Sequence, residues 1–566
     1  MIKVVTVEQM RAVEAATDKA GVSYAQMMQN AGRGLARVIM SLYNREDEDV
    51  RIAVLVGPGN NGGDGLVAAR ILKQETRAQV GAYLVRPRGD DDPVFVAARD
   101  AGVFIADAEA DSRWRVLSNL VSSADILVDA LLGTGARLPV EGTIQKVLTQ
   151  AAKYLEKLPY GVEEEKLWLI EPALPTPRGS RHATVVAVDC PSGLDCDTGM
   201  LDPVAIPADL TVTFAAVKTG QLRFPGAQAV GSLFVADIGT PADLPELSAA
   251  TLEMVTGSDV IDMLPTRPMN AHKTTFGRAL LVGGSTNYVG AMGLAGEAAY
   301  RVGAGLVRMA VPGSVYEALS ARLLEATWLI LPSDLGVIEA DALPLIAEET
   351  QRTSAILVGP GMGQDDTTQA FMRALLMGDR TAGRGRVGFA THSTLTHQPS
   401  GSLLPERLVI DADGLNLLAG IEDWPALVPR GTILTPHPGE MARLTAMETA
   451  DIQADRVGIA VQKAVEWTCN IVLKGAFTVV ASPEGRVVVL PFATDALATA
   501  GTGDVLAGCI TGLLAQGSDP FSAAVAGAYL HGLAGVLAGE SYTSRSTTAG
   551  DVLHALPEAL SLVIET

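Results

Sequence analysis

Ala500-Gly501-Thr502-Gly503-Asp504 runs at once into the apolar stretch Val505 to Leu514, so two glycines and a carboxylate stand where a helix begins. Backbone N–H groups at a helix start lack intrahelical partners and carry the positive end of the dipole. Gly501 and Gly503 can wrap them around a phosphate. Asp504 then stands where it could take a proton from a hydroxyl that meets that phosphate. An Asp at a helix N-terminus is also favourable without any chemistry, and the motif alone leaves both readings open. Asn60-Asn61-Gly62-Gly63-Asp64-Gly65 offers two amides and a carboxylate in a loop whose glycines admit a ligand, or else Asx turns. Asn61, Asp129 and Ser192 supply hard oxygens with no His or Cys pairing beside them. Such donors suit a monovalent or alkaline-earth cation much better than zinc. Lys218 reads either as a solvated strand end or as a site residue. For His437, flanking prolines that fix its direction favour a ligand contact over a backbone-satisfied loop histidine. Lys474 reads either as a strand-end charge or, with Asp504 and a phosphate-binding turn nearby, better as a counter-charge for nucleotide phosphate.

These residues follow apolar segments. Arg51–Val56 reads as a buried strand that enters the glycine loop Gly57–Gly65 and then a helix from Leu66 to Gln74. Asp125–Leu132 ends at Gly133-Thr134-Gly135, Thr184–Val188 ends at Asp189, and Thr211–Lys218 reads as one strand ending in its lysine. Thr6 to Met40 has helical spacing of Met10, Val13, Met27, Ala31, Leu35 and Ile39. In the second half Arg278–Val282 opens a new series, followed by a small-residue helix from Ala291 to Val302. Ile356–Val358 then leads into Gly359-Pro360-Gly361-Met362-Gly363, Leu408–Ile410 into Asp411, Ile433–Leu434 into Thr435-Pro436-His437-Pro438-Gly439-Glu440, and Ile471–Leu473 into Lys474-Gly475. Ligand-type loops at successive strand ends make the crevice of an open parallel α/β sheet. Gly57, Gly59 and Gly62 satisfy a G-x-G-x-x-G dinucleotide pattern, yet the next strand ends in Arg86-Pro87-Arg88 and not in an acidic ribose-binding residue.

The chain has 566 residues, enough for two large α/β units. The proline-punctuated stretch Gly239–Glu246 reads as a linker, which places a boundary near residue 250 and units at 1–245 and 254–566. The segments 151–182 and 380–405 interrupt the strand rhythm as a surface insertion and a mobile excursion. With 19% charged and 48% hydrophobic residues and 58 glycines, the composition is that of buried parallel sheets joined by tight loops. A formal charge of −21 disfavours nucleic acid and anionic lipid, and it favours small-molecule partners. Four scattered cysteines predict reduced thiols and no disulfide framework. No basic-then-apolar leader opens the chain and no uninterrupted apolar run is long enough for a bilayer, so a cytoplasmic protein is expected, with no membrane contact.

Four ordered blocks, Asn60–Gly65, Asp129–Gly135, Asp189–Gly193 and the Lys218 strand, together resemble the YjeF N-terminal domain, the NAD(P)H-hydrate epimerase. The resemblance implies a Rossmann-like three-layer fold over about residues 1 to 240. It implies potassium held by Asn61, Asp129 and Ser192, and a hydrate bound by Asn60, Asn61, Gly62, Gly63 and Asp64 and by Gly133, Thr134, Gly135, Ala136, Arg137, Leu138 and Pro139. Asp189 and Lys218 would be the acid/base pair that interconverts R and S hydrate at the nicotinamide C6, with Asp189 also contacting the hydrate. Thr435–Glu440 together with Ala500–Asp504 resembles the YjeF C-terminal branch of the ribokinase-like superfamily, the NAD(P)H-hydrate dehydratase. That likeness implies ADP or ATP, with magnesium, against Lys474, Gly475, Ala476, Phe477 and Thr478 and against Thr494, Ala500, Gly501, Thr502 and Gly503. The hydrate would contact Gly363, His437 and Asp504, with Asp504 as base. The expected architecture is therefore two three-layer α/β/α domains, acting on NADHX and NADPHX in a homo-oligomer. Two other readings compete: a ribokinase-like vitamin-precursor kinase with a fused accessory domain, and a non-catalytic RNA-associated scaffold, which the charge of −21 and the intact Asp189, Lys218 and Asp504 oppose.

Overall fold

The computed structural model describes residues 1–44, 46–47, 49–155, 183–378 and 404–565. Residues 156–182 and 379–403, which hold most of the two interruptions read from the sequence, lie outside the described residues. The chain forms two compact units, Ile2–Thr251 and Leu252–Thr566, with Met1 assigned to the second.

In the first unit, seven parallel strands lie in the order Phe104–Asp107, Gln79–Leu84, Arg51–Val56, Ile126–Ala130, Thr184–Val188, Leu210–Phe214, Ser232–Ala236. Side chains alternate across a strand, and here the alternation feeds two cores. Ile52, Val54 and Val56 join Leu35, Ile39 and Leu72 on one face, while Ala53 and Leu55 join Leu117, Leu127 and Leu148 on the other. Helices cover both faces, which is why the strands are apolar almost throughout. The order reverses between Arg51–Val56 and Ile126–Ala130. An open sheet of this kind has its ligand crevice beyond such a reversal.

Two local expectations change. The residues Asn60–Gly65 do not form a loop before the helix; they are its first turns, the helix running Asn60–Glu75 after a short Gly57-Pro58-Gly59 turn. The glycines serve close packing. A Cβ at Gly62 would overlap the Gly57 carbonyl oxygen, one at Gly63 the Met28 thioether, and one at Gly65 the Ala130 methyl. Thr211–Lys218 is likewise not one strand. Leu210–Phe214 stops before Ala215, whose φ is 59°, and Val217–Lys218 pairs instead with Ile2–Val5, with Val5 opposite Lys218.

The second unit repeats the plan. Its strands lie in the order Thr327–Leu331, Leu306–Pro312, Arg278–Val282, Ala355–Val358, Leu408–Ile410, Ile433–Leu434, Asn470–Leu473, all parallel, and then Val479–Ala481, Val487–Val489 and Leu252–Met254. Val479–Ala481 is antiparallel to both of its neighbours. Again one core takes Ala279 and Leu281 and the other Leu280 and Val282. The reversal falls between Arg278–Val282 and Ala355–Val358, where Gly284 N donates to Pro360 O at 2.8 Å. The helix Pro520–Tyr542 corrects one expectation, since its 23 residues are long and apolar enough to cross a membrane by composition. Yet 72% of its apolar window is buried, and it packs between Thr502–Ala515 and Ala549–Glu565. A helix enclosed on every side is apolar on every side.

Candidate functional site

The reversal in the first unit collects the expected oxygen ligands. Ser192 Oγ donates to Asp129 Oδ1 at 2.6 Å and Ser192 N to Asp129 Oδ2 at 2.8 Å, while Leu132 N donates to Ser192 Oγ at 2.9 Å. Asn61 Nδ2 donates to Leu132 O at 2.9 Å, so Asn61, Asp129 and Ser192 meet around one backbone turn. Asp129 is fully buried, and burial pushes its carboxyl up against the lowering effect of the Ser192 bonds. Among the described residues no basic side chain bonds to it. A buried carboxylate among neutral oxygens is a donor set suited to a monovalent or alkaline-earth cation. Among the described residues no cluster of His, Cys, Asp and Glu could hold a metal ion. Gly133 abuts the Asn61 amide, and from there Thr134, Gly135, Ala136, Arg137, Leu138 and Pro139 lead outward, with Gly135, Arg137 and Pro139 exposed.

Beyond the strand Thr184–Val188, Asp189 adopts φ 63° and turns its carboxylate toward Lys218. Lys218 Nζ lies 2.6 Å from Asp189 Oδ1 and also donates to Thr213 Oγ1 at 2.8 Å and Phe214 O at 3.0 Å. Gln221 receives Lys218 N and donates to Asp189 O. The lysine side chain is 1% exposed, so this charge pair is held almost entirely out of water. A cleft of about 640 Å³ opens nearby, lined by Asn60, Asp64, Glu14, Met28 and Phe214 among others, whereas Asp189 and the Gly133–Pro139 loop are not among its walls. Burial pushes the Asp64 carboxyl well up, with Asp189 and Glu14 adding to the effect.

The sequence reading missed three residues here. Arg88 donates to Gly57 O at 2.8 Å and Gly59 O at 3.1 Å, so the basic residue in the ribose-reading position grips the glycine turn instead. Thr213 and Gln221 hold the ion pair, and nothing in the sequence pattern distinguishes them from ordinary buried polar residues.

In the second unit, Gly501 takes φ 93° at the start of the helix Thr502–Ala515, and Thr502 Oγ1 donates to Leu497 O and Thr499 O. Gly503 is where Lys474 Nζ comes close, since a Cβ there would lie 3.4 Å from it. Lys474 is already occupied: its Nζ lies 2.9 Å from Asp411 Oδ1 and 3.6 Å from Glu440 Oε2. Burial alone would lower its pKa, and the two carboxylates outweigh that and raise it. Thr435 Oγ1 donates to Asp411 Oδ1 at 2.6 Å. Burial, with Asp411 adding to it, pushes Asp504 up to about 7. Gly363 N donates to Asp413 Oδ2 at 2.9 Å, and Asp413 also acts on Asp504, which brings the Gly363 and Asp504 loops into one field.

His437 is half-exposed. Its Nδ1 accepts the N–H groups of Gly439 and Glu440, leaving Nε2 3.5 Å from Glu440 Oε1. A cavity of about 190 Å³ is lined by Lys474, Gly475, Ala476, Thr478, Thr494, Thr502 and Gly503, with Leu490, Phe492 and His531. Phe477, Ala500 and Gly501 are not among its walls. Arg456, to which the sequence reading gave no role, donates to the carbonyls of Leu473, Lys474 and Ala476 and so fixes the cavity's rim. Asp411 and Glu440 were also given no role; the His437-to-Glu440 spacing of a capping box was the available signal for the second.

The family model described as YjeF-related protein N-terminus matches residues 24–220, and the one described as NAD(P)H-hydrate dehydratase matches residues 279–558. The bifunctional NAD(P)H-hydrate repair enzyme Nnr of Moorella thermoacetica is 36% identical over 541 residues, covering 94% of this chain and 92% of its own. The chain belongs to the bifunctional NAD(P)H-hydrate repair enzyme family. Another of these repair enzymes, that of Salinibacter ruber, is 36% identical over 574 residues, covering 98% and 95%. The ADP/ATP-dependent NAD(P)H-hydrate dehydratase of Bacillus subtilis, co-crystallized with ATP/Mg2+, is 30% identical, with a TM-score of 0.45 over 56% of this chain and 100% of its own. In this repair-enzyme family member, the two matched regions fall one in each compact unit.

Proposed function

We propose that the chain repairs hydrated NADH and NADPH, its first unit interconverting R and S NADHX or NADPHX and its second using a nucleotide to dehydrate the S form to NADH or NADPH. The observation that carries this is the presence, in one chain, of a buried Asp189–Lys218 pair in the YjeF-N unit and of Asp504 beside Lys474 in the dehydratase unit. In the first unit Asp189 and Lys218 form the acid/base pair for the proton transfers that accompany interconversion at C6, Thr213 and Gln221 keeping both groups aimed. Asn61, Asp129 and Ser192 would hold potassium, which supplies positive charge beside the substrate loops and offsets the Asp129 carboxylate.

In the second unit water is a poor leaving group from the hydrated ring, and a phosphoryl group on its hydroxyl makes departure easy. Bound ADP or ATP with magnesium supplies that group. Asp504 takes the hydroxyl proton, and the N–H groups at Gly501 to Gly503 stabilise charge on the phosphoryl oxygens. Phosphate then leaves C6 with the C6–O bonding pair, and loss of a C5 proton to solvent restores the C5=C6 bond. Lys474 and the Gly475–Thr478 turn, held by Arg456, seat the nucleotide. Absorbance at 340 nm tests the whole reading, on adding protein to mixed R/S NADHX with potassium, magnesium and ADP or ATP. Full recovery that requires nucleotide is expected. Recovery of only the S fraction would remove the epimerase role, and a stable phosphorylated product without NADH would establish a kinase.

A further inference from the structure

Glu14 is a carboxyl group that the reaction described above leaves unused, and Asp64, expected from the resemblance to contact the hydrate, carries no proton in it. Glu14 belongs to the helix Val7–Lys19, on the face that carries Met10, Val13 and Thr17. Asp64 stands in the first turns of Asn60–Glu75 and is 8% exposed. Neither side chain has a hydrogen bond or an ion pair among the described residues, and both line the cleft of about 640 Å³, with Asn60 beside them and Tyr24, Met28 and Phe214 as apolar walls. Asp64 is nearly buried and Glu14 half-buried, and a carboxyl held partly out of water without a partner is costly to keep unless something in the cleft meets it. Asp189 lies outside the cleft wall yet close enough to act electrostatically on both groups, as Lys218 does.

We propose that Glu14, with Asp64, is a second catalytic acid/base of the epimerase reaction, serving the face of the hydrated ring turned to the cleft while Asp189 serves the other. The proposal rests on the reading of the first unit as an epimerase. The C6 hydroxyl is on the carbon next to ring nitrogen N1. Protonated Glu14 gives its proton to that hydroxyl, the C6–O bond breaks, and water leaves with the bonding pair as the N1 lone pair forms an N1=C6 double bond. A water adds to the opposite face, forming a new C6–O bond. The double-bond pair returns to N1, and Asp189 takes the proton of the added water. Asp64 and solvent return that proton to Glu14, so the cycle consumes neither oxidant nor reductant.

The test uses the full chain with R-NADHX and potassium, without nucleotide, in oxygen-18 water, the S-NADHX product being separated and weighed by mass spectrometry. One heavy oxygen per epimerised molecule is expected. Glu14→Gln should lower the epimerisation kcat by about 100-fold or more with KM changed by no more than about two-fold, and Glu14→Asp should recover part of the loss. Nucleotide-dependent dehydration of S-NADHX by Glu14→Gln should match the unsubstituted chain. Retention of the original oxygen, or a normal kcat in Glu14→Gln, overturns the proposal. A loss that Glu14→Asp does not relieve, accompanied by a lower melting temperature, assigns Glu14 to structure and overturns it too. An unsubstituted chain that does not speed epimerisation overturns instead the epimerase reading beneath it.

Discussion

Asp504 and Lys474 share a patch of the second unit with Asp411 and Glu440, and the balance of these charges decides how the base works. With its pKa up to about 7, Asp504 is poised to take up a proton near neutrality, which is where a general base is most effective. Dehydration kcat/KM should therefore rise with pH through about 7, and a flat profile from pH 5 to 9 would remove Asp504 from that role. The same shift affects stability in the opposite sense. A carboxyl raised in the folded state stabilises it fully below the unfolded value of 3.8, and that contribution is lost as pH rises through about 7. Asp504→Asn should cut dehydration by at least about 100-fold and leave epimerisation intact. In the first unit, Lys218→Met would strand Asp189 next to a methionine in a nearly dry site. A loss of about 3–5 kcal/mol in denaturant unfolding of that unit is expected, and a loss below about 1 kcal/mol would show that water reaches the pair.

At the scale of elements, the helix Asn60–Glu75 holds both the residues proposed to face the hydrate and the contacts that bring it down on the sheet. Gly65 meets Ala130, the last residue of the strand that carries Asp129, so a side chain here lifts the helix and moves Asn61 away from Leu132. Gly65→Val should destabilise the first unit by about 1–3 kcal/mol and weaken the potassium dependence of epimerisation, read from the activation constant, while dehydration is unchanged. In the second unit the Arg456 bonds to the carbonyls of Leu473, Lys474 and Ala476 play the corresponding part for the proposed nucleotide turn. Arg456→Met should raise KM for the nucleotide more than it lowers kcat; the reverse split would place Arg456 in the chemistry instead.

At the scale of the molecule, two sheets with the same strand reversal each carry one set of reactive groups. If the sites exchange hydrate through solvent, a mixture of Asp189→Asn and Asp504→Asn chains should recover all the NADH from an R/S mixture. Recovery of only the S fraction would mean that both sites must work in one chain. By itself the sequence determined many of the strands and the glycine, Asn and Asp residues that follow their carboxyl ends, because apolar runs bounded by glycine motifs are local patterns that a parallel sheet imposes. It could not tell that Asn60–Gly65 is helical, since glycine in a helix is locally unfavourable and is repaid only by close packing on Ala130 and Met28. It could not place Lys218 on a separate strand beside Ile2–Val5, because that pairing is non-local. Nor could it pick out Glu14, which stands on its helix beside the buried Met10, Val13 and Thr17 and becomes a cleft carboxyl only where Asn60 and Asp64 line the same cleft. Which charges neutralise one another, Lys474 with Asp411 and Glu440 above all, was decided by the tertiary structure, because Coulomb energy depends on distance and burial, and neither is written in the order of residues.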